Sequence, residues 1–210
     1  MKGAIFDVDG TLLDSMTVWR NITERFLKKY DIALSDEKAA QYKEMTLEES
    51  LPQIIKEFKL ELTHEEIFSE FKKMVAEEYA LRVELKDGAK EYIEKLHDEG
   101  IKIAVATSGY EGLCKSAFKR LGIIDYIDVY AFSTEVGCNK SKPDVYLLAS
   151  ERMGLNPVDC TVFEDIVPGI ESSRKAGFKT CAVYDDTNKH ETETLKNTAD
   201  KYITSWKELF

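Results

Sequence analysis

The chain opens on a short apolar run, Ala4-Ile5-Phe6, that breaks abruptly into acids, a glycine and hydroxyls. A run of that length bounded by turn residues predicts a buried strand. From Met16 to Tyr30 the apolar residues Trp19, Ile22, Phe26, Leu27 and Tyr30 fall at helical spacing. Ser35-Asp36-Glu37 is a helix start for Glu37 to Lys43. Leu47 to Phe58 repeats the amphipathic pattern, with Thr46 as a candidate cap. Thr63-x-x-Glu66 has the form of a capping box opening Glu65 to Leu81. No strand pattern occurs in this block. It predicts a small helical bundle with borders at Ser15–Met16 and Val83–Asp87.

From Asp87 onward helical and strand patterns alternate. Helices are predicted at Gly88 to Glu99, Glu111 to Leu121, Asp144 to Met153, Pro168 to Ala176 and Thr192 to Lys196. Strands are predicted at Lys102 to Ala106, within Tyr126 to Phe132, at Thr161 to Phe163 and at Lys179 to Val183, with a short apolar Tyr202-Ile203 near the end. Gly100, Gly122 and Gly154 stand where helices stop. Alternation of this kind means right-handed crossovers and an α/β fold: a mainly parallel sheet with helices on both faces. The domain organisation expected is an α/β core of residues 1–15 and 84–210, with residues 16–83 inserted as a helical bundle.

Ligands of such sheets sit beyond the carboxyl ends of the strands. Past the first strand stand Asp7 and Asp9, and Gly10 permits a turn in which the two converge. Carboxylates that close need a shared proton or a cation, and a hard divalent ion with oxygen ligands suits them; an acidic turn is the plainer reading. Past the second strand, Thr107-Ser108-Gly109 offers hydroxyls and N–H groups at a helix start, which suits a phosphate as well as a simple cap. Past the third, Lys140 and Lys142 precede Pro143-Asp144, and a lysine there could stabilise charge on a transferring phosphoryl group. Past the fourth stand Glu164 and Asp165. Four carboxylates in one crevice would repel one another without a cation.

The balance of charge narrows the partners. Over 210 residues, 29 Lys+Arg against 39 Asp+Glu leave a net charge of −10, so nucleic acid is not an expected partner. A small phosphorylated ligand remains possible with local cations or a metal. The first residues lack a signal-peptide core, and no run is long enough to span a bilayer. A cytoplasmic location without membrane association is therefore expected; no pattern in the sequence sets the oligomeric state, for which a monomer is the expectation. Cys114, Cys138, Cys160 and Cys181 form no C-x-x-C pair and read as free thiols, Cys160 and Cys181 in the core and Cys138 in a polar loop.

The stretch Asp7-Val8-Asp9-Gly10-Thr11-Leu12-Leu13-Asp14-Ser15 resembles the first motif of the haloacid dehalogenase (HAD) superfamily, in its phosphatase and β-phosphoglucomutase-like branch. Thr107 matches the Thr or Ser of the second motif. Lys140 holds the place of the third-motif lysine, four residues before the Asp of Pro143-Asp144, although Ser141 replaces the usual proline and Lys142 is a second candidate. Glu164-Asp165-Ile166-Val167-Pro168-Gly169-Ile170 resembles the fourth motif.

The resemblance implies a Rossmann-like HAD core with a type 1 helical cap, and phosphoryl transfer through an aspartyl phosphate. Asp7 would be the nucleophile and Asp9 the acid and base. Thr107, Ser108, Gly109 and Lys140 would hold the phosphate. Asp7, the Asp9 carbonyl and Asp165 would hold Mg²⁺, with Glu164 binding directly or through water. Met16, Trp19 and Arg20 would open the cap near substrate, Trp19 being equally well placed to pack inside the cap. The dehalogenase and phosphonate-cleaving branches lack an acid at the Asp9 position, so the implied activity is hydrolysis of a small organic phosphate monoester. The alternative is a sugar-phosphate mutase. Its family carries a cap arginine before an acid-acid-Ser-Leu-like run; here Glu48-Glu49-Ser50-Leu51 follows Leu47. A binding protein on a degenerate scaffold is the remaining reading.

Overall fold

A computed structural model describes residues 1–43, 45 and 47–210; the side chains of Arg20, Asp36, Ala39, Ala40, Lys43, Leu47 and Glu48 lie outside that description. The cap expected at Thr46 falls outside the described residues. The chain divides into two compact units, Met1–Ser15 with Val83–Phe210, and Met16–Arg82.

After strand β1 (Gly3–Phe6) come the helices of the second unit: α1 (Met16–Lys28), α2 (Asp36–Lys43), α3 (Leu47–Phe58) and α4 (His64–Leu81). The chain then returns through α5 (Ala89–Asp98), β2 (Lys102–Thr107), α6 (Glu111–Leu121), β3 (Val129–Phe132), α7 (Ser133–Val136), α8 (Asp144–Met153), β4 (Cys160–Glu164), α9 (Val167–Lys175), β5 (Lys179–Val183), α10 (Thr192–Thr198) and β6 (Lys201–Ile203). The sheet is six-stranded in the order β3-β2-β1-β4-β5-β6, and every pairing is parallel. The order reverses beside β1, which puts the crevice of a doubly wound sheet past the ends of β1, β2 and β4.

Every residue of β1 is buried, as a strand covered on both faces requires. Its side chains alternate. Ile5 joins Ala104, Ala106, Tyr146, Val162 and Phe178 on one face. Phe6 points to the other, stacked on Phe163 with ring centroids 4.7 Å apart, where Tyr92 of α5 and Trp206 meet both rings. Trp206 also donates its indole N–H to the Thr11 carbonyl at 3.3 Å, tying the C-terminal segment to the loop after β1. The two chain crossings are joined as a ribbon: Asp14 N–H donates to Glu84 O at 2.9 Å and Lys86 N–H to Leu12 O at 2.8 Å.

In the helical unit, Phe26 and Phe71 pack with ring centroids 4.6 Å apart. The buried Glu78 carboxylate takes Arg25 at 2.7 Å and Arg82. Thr63 and Glu66 form the capping box that starts α4. The apolar pattern predicts the first helix to Tyr30, but α1 stops at Lys28, because Asp31 turns left-handed (φ 57°) and Ile32 N–H reaches back to Leu27 O at 3.1 Å.

Sequence periodicity leaves the segment after β3 as a polar connection. The single turn α7 forms there because Glu135 accepts the Phe132 N–H at 2.9 Å and pairs with Arg152 at 2.5 Å. Cys114, Cys160 and Cys181 are buried and Cys138 is half-buried, all as free thiols. Among the described residues no helix is long and apolar enough to cross a membrane.

Candidate active site

Asp7 follows β1 directly, and its N–H extends the ladder to Phe163 O at 3.0 Å. Its buried carboxylate accepts the Lys140 ammonium through Oδ1, and the same ammonium reaches Glu164 Oε1 at 2.6 Å. Ser172 fixes the backbone of Lys140 by donating to its carbonyl at 2.6 Å. Glu164, the last residue of β4, is wholly buried. Its Oε1 also accepts the Tyr146 hydroxyl at 3.0 Å, and its Oε2 accepts the N–H groups of Asp165 at 2.6 Å and Ile166 at 3.2 Å. Thr11 Oγ1 donates to Asp165 Oδ1 at 3.0 Å, and Asn188 Nδ2 donates to Asp165 Oδ2 at 2.7 Å.

Two glycines make the close approaches possible. Gly10 has φ +87°, and a Cβ on it would lie 2.5 Å from Asp165 Oδ2. A Cβ on Gly109 would lie 2.9 Å from Asp9 Oδ2 and 3.2 Å from Thr107 Oγ1. Bare backbone therefore lets acids of separate loops share one pocket. Thr107 Oγ1 accepts the Gly109 N–H at 2.9 Å, and a hydroxyl that accepts can still donate its own hydrogen. Asp9 Oδ1 accepts the Ser15 hydroxyl at 2.6 Å.

The electrostatics follow from burial. Burial pushes the Asp7 carboxyl from its usual 3.8 up to about 7, against the pull of Lys140, with Glu164 and Asp9 adding to the rise. Asp165 is held well above the usual carboxylate range, first by burial and then by the charges of Glu164 and Asp7. Burial works against charge on Lys140, but Asp7 and Glu164 outweigh it and raise the ammonium above its ordinary value. Ligand oxygens of Asp7, Glu164 and Asp165 all lie within 4.8 Å of one another. Three buried carboxylates, two of them sharing the Lys140 ammonium, are a donor set suited to a hard dication.

Of the residues expected from sequence, Asp7, Asp9, Thr107, Gly109, Lys140, Glu164 and Asp165 come together past the strand ends. Ser108 is exposed and shares a 2.9 Å hydrogen bond with Ser133. Lys142 is exposed. Trp19 lies in the helical unit, half-buried, donating its indole N–H to Tyr79 at 2.8 Å. The side chains of Arg20, Leu47 and Glu48 lie outside the described residues. Ser15, Tyr146 and Asn188 had no assigned role from sequence. Tyr146 reads there as an ordinary core position of α8, and Asn188 as one polar residue among several in a turn.

A family model for haloacid dehalogenase-like hydrolases matches residues 4–183. The phosphorylated carbohydrates phosphatase of Thermotoga maritima is 28% identical over 85% of this chain and 83% of its own length. The β-phosphoglucomutase of Bacillus subtilis is 27% identical over 84% of this chain and 80% of its own length. The crystal structure of CbbY from Rhodobacter sphaeroides in complex with phosphate superposes with a TM-score of 0.79. That alignment covers 100% of this chain and 96% of that one at 24% identity, a likeness of fold.

Proposed function

The chain belongs to the haloacid dehalogenase-like hydrolase family, and on that premise we propose that it is a magnesium-dependent phosphatase of small phosphate monoesters, working through an aspartyl phosphate on Asp7. The observation that carries the reading is the joining of Asp7 to Lys140, with Glu164 and Asp165 beside it, at the sheet's reversal point. A carboxylate fixed this way is oriented to attack, and an ammonium next to it is suited to phosphoryl oxygens. Asp7, Asp165 and the Asp9 carbonyl would hold magnesium, with Glu164 directly or through water. Bound there, the ion supplies charge neutralisation to the phosphoryl group.

The steps then belong to the protein's own groups. An Asp7 oxygen bonds to phosphorus as the ester P–O bond breaks. Asp9 gives its proton to the departing alkoxide oxygen. Asp9, now ionised, takes a proton from water as that water attacks the aspartyl phosphate, which frees inorganic phosphate and restores Asp7. Thr107 and Lys140 hold the non-reacting oxygens throughout. The helical unit is read as the family's cap, excluding water and choosing the leaving group, with Met16 and Trp19 as candidate contacts.

The likeness to the Thermotoga phosphatase supports phosphorylated carbohydrates as the first substrates to try. The likeness to the Bacillus mutase supports a second reading, interconversion of sugar-phosphate isomers, which Leu47 in place of the mutase arginine disfavours. The test is release of inorganic phosphate from para-nitrophenyl phosphate and a panel of sugar phosphates, with and without magnesium. Asp7→Asn and Asp9→Asn are each expected to lose turnover while staying folded. Turnover retained in Asp7→Asn overturns the nucleophile, and isomer interconversion outpacing phosphate release gives the mutase.

A further inference from the structure

We infer that Asn188, in the turn after β5, is a positioning residue that fixes which lone pairs Asp165 offers to a cation. The inference rests on Asp165 being a magnesium ligand, as proposed above. Asn188 interrupts the short helical turn Asp186–Glu191 with φ −104° and ψ 15°. Its Nδ2 lies 2.7 Å from Asp165 Oδ2 and 3.3 Å from the Asp165 peptide oxygen. A peptide oxygen only accepts, so the amide must present its NH₂ end to this residue.

The other carboxylate oxygen is held from the opposite side by Thr11 at 3.0 Å. One oxygen of Asp165 is thus tied to the loop after β1 and the other to the loop after β5. Rotating the carboxylate would break both bonds. Each oxygen keeps a further acceptor direction for a cation.

Both holders are uncharged. They orient the carboxylate without supplying a counter-charge in the ion's place, as a lysine at position 188 would. The turn is itself anchored: Asn188 N–H donates to Asp185 O at 3.1 Å, and the buried Asp185 carboxylate accepts the Thr187 N–H at 2.9 Å and the Lys86 ammonium at 2.9 Å. Partners that orient a metal-binding group commonly matter to affinity nearly as much as the ligands do.

The test is calorimetric titration of magnesium chloride into the metal-free full chain, without substrate, alongside its unfolding midpoint in chelator. Asn188→Leu and Asn188→Ala are expected to weaken magnesium binding about tenfold or more, with the metal-free chain still folded. Thr187→Ala, which removes the Thr187 hydroxyl's bond to Asp185 Oδ1 and so loosens the same turn without touching Asp165, is expected to bind like wild type. Wild-type affinity in both Asn188 variants overturns the inference. So does an equal loss in Thr187→Ala, which would make Asn188 a mere part of the turn. A flat titration of the wild type itself overturns the metal reading and this inference with it, and so is told apart from failure of the inference alone.

Discussion

Lys140 donates to Asp7 across 133 positions of sequence, and its second bond, to Glu164 at 2.6 Å, makes one ammonium the shared counter-charge of two buried acids. Its loss should therefore be felt in both folding and turnover. Lys140→Met keeps the aliphatic stem but strands the carboxylates. It is expected to cost about 3 kcal/mol of metal-free stability and to lower kcat by about 10²–10³, as thermal melts and phosphate release will read. Magnesium should recover part of the stability. Lys142→Met, at an exposed position, should change neither.

Asp7 itself should make the metal-free fold less stable in a pH-dependent way. Burial holds its folded carboxyl at about 7, above the usual 3.8, so between those values the native chain binds more protons than the unfolded one. Stability contributed by this group is full below 3.8 and falls as pH rises toward 7. Asp7→Asn removes that penalty. It also removes one partner of Lys140, so the expected signature in chelator is a melting point that rises relative to wild type as pH goes from acid to neutral.

Gly10→Ala meets two obstacles. The left-handed backbone costs roughly 1–2 kcal/mol for an L side chain, and the new Cβ would stand 2.5 Å from Asp165 Oδ2. The expected result is a stability loss of at least that size together with loss of magnesium binding, seen by melting and calorimetry. Normal magnesium affinity in a folded Gly10→Ala would show that Asp165 can move aside freely.

Asp185 gives the opposite pH signature. Burial raises its pKa, but the Thr187 hydroxyl and Lys86 outweigh burial, and the folded carboxyl lies below its usual 3.8. Its contribution is therefore present above 3.8 and lost as pH falls through the lower folded value. Asp185→Asn should cost about 2 kcal/mol at pH 7, the worth of hydrogen bonds to a charged group. The gap to wild type should close in acid, as denaturant melts at several pH values will measure.

The sheet and its helices were legible because each strand is a short apolar run and each crossover has its own periodicity. The acids after β1 and β4 were legible for the same reason, since they interrupt apolar runs where the chain leaves the core. Which of two lysines turns inward could be read only from the resemblance, which picked Lys140, and not from the apolar pattern. Lys140 and Lys142 differ only in tertiary surroundings, and the Ser172 hydroxyl that holds the Lys140 carbonyl is distant in sequence. Tyr146 hid among core positions of α8, since spacing cannot reveal that its hydroxyl meets Glu164. Asn188 hid in a polar turn for want of any local pattern. The Glu135 carboxylate that caps α7 also pairs with Arg152, a contact that no local window contains.

The ribbon that joins Asp14 to Glu84 and Leu12 to Lys86 means that the helical insert leaves and re-enters on neighbouring backbones. A tight hairpin of about two residues could bridge that gap, and no strand of the sheet would lose a partner. The insertion therefore leaves the sheet's own hydrogen-bond ladder complete.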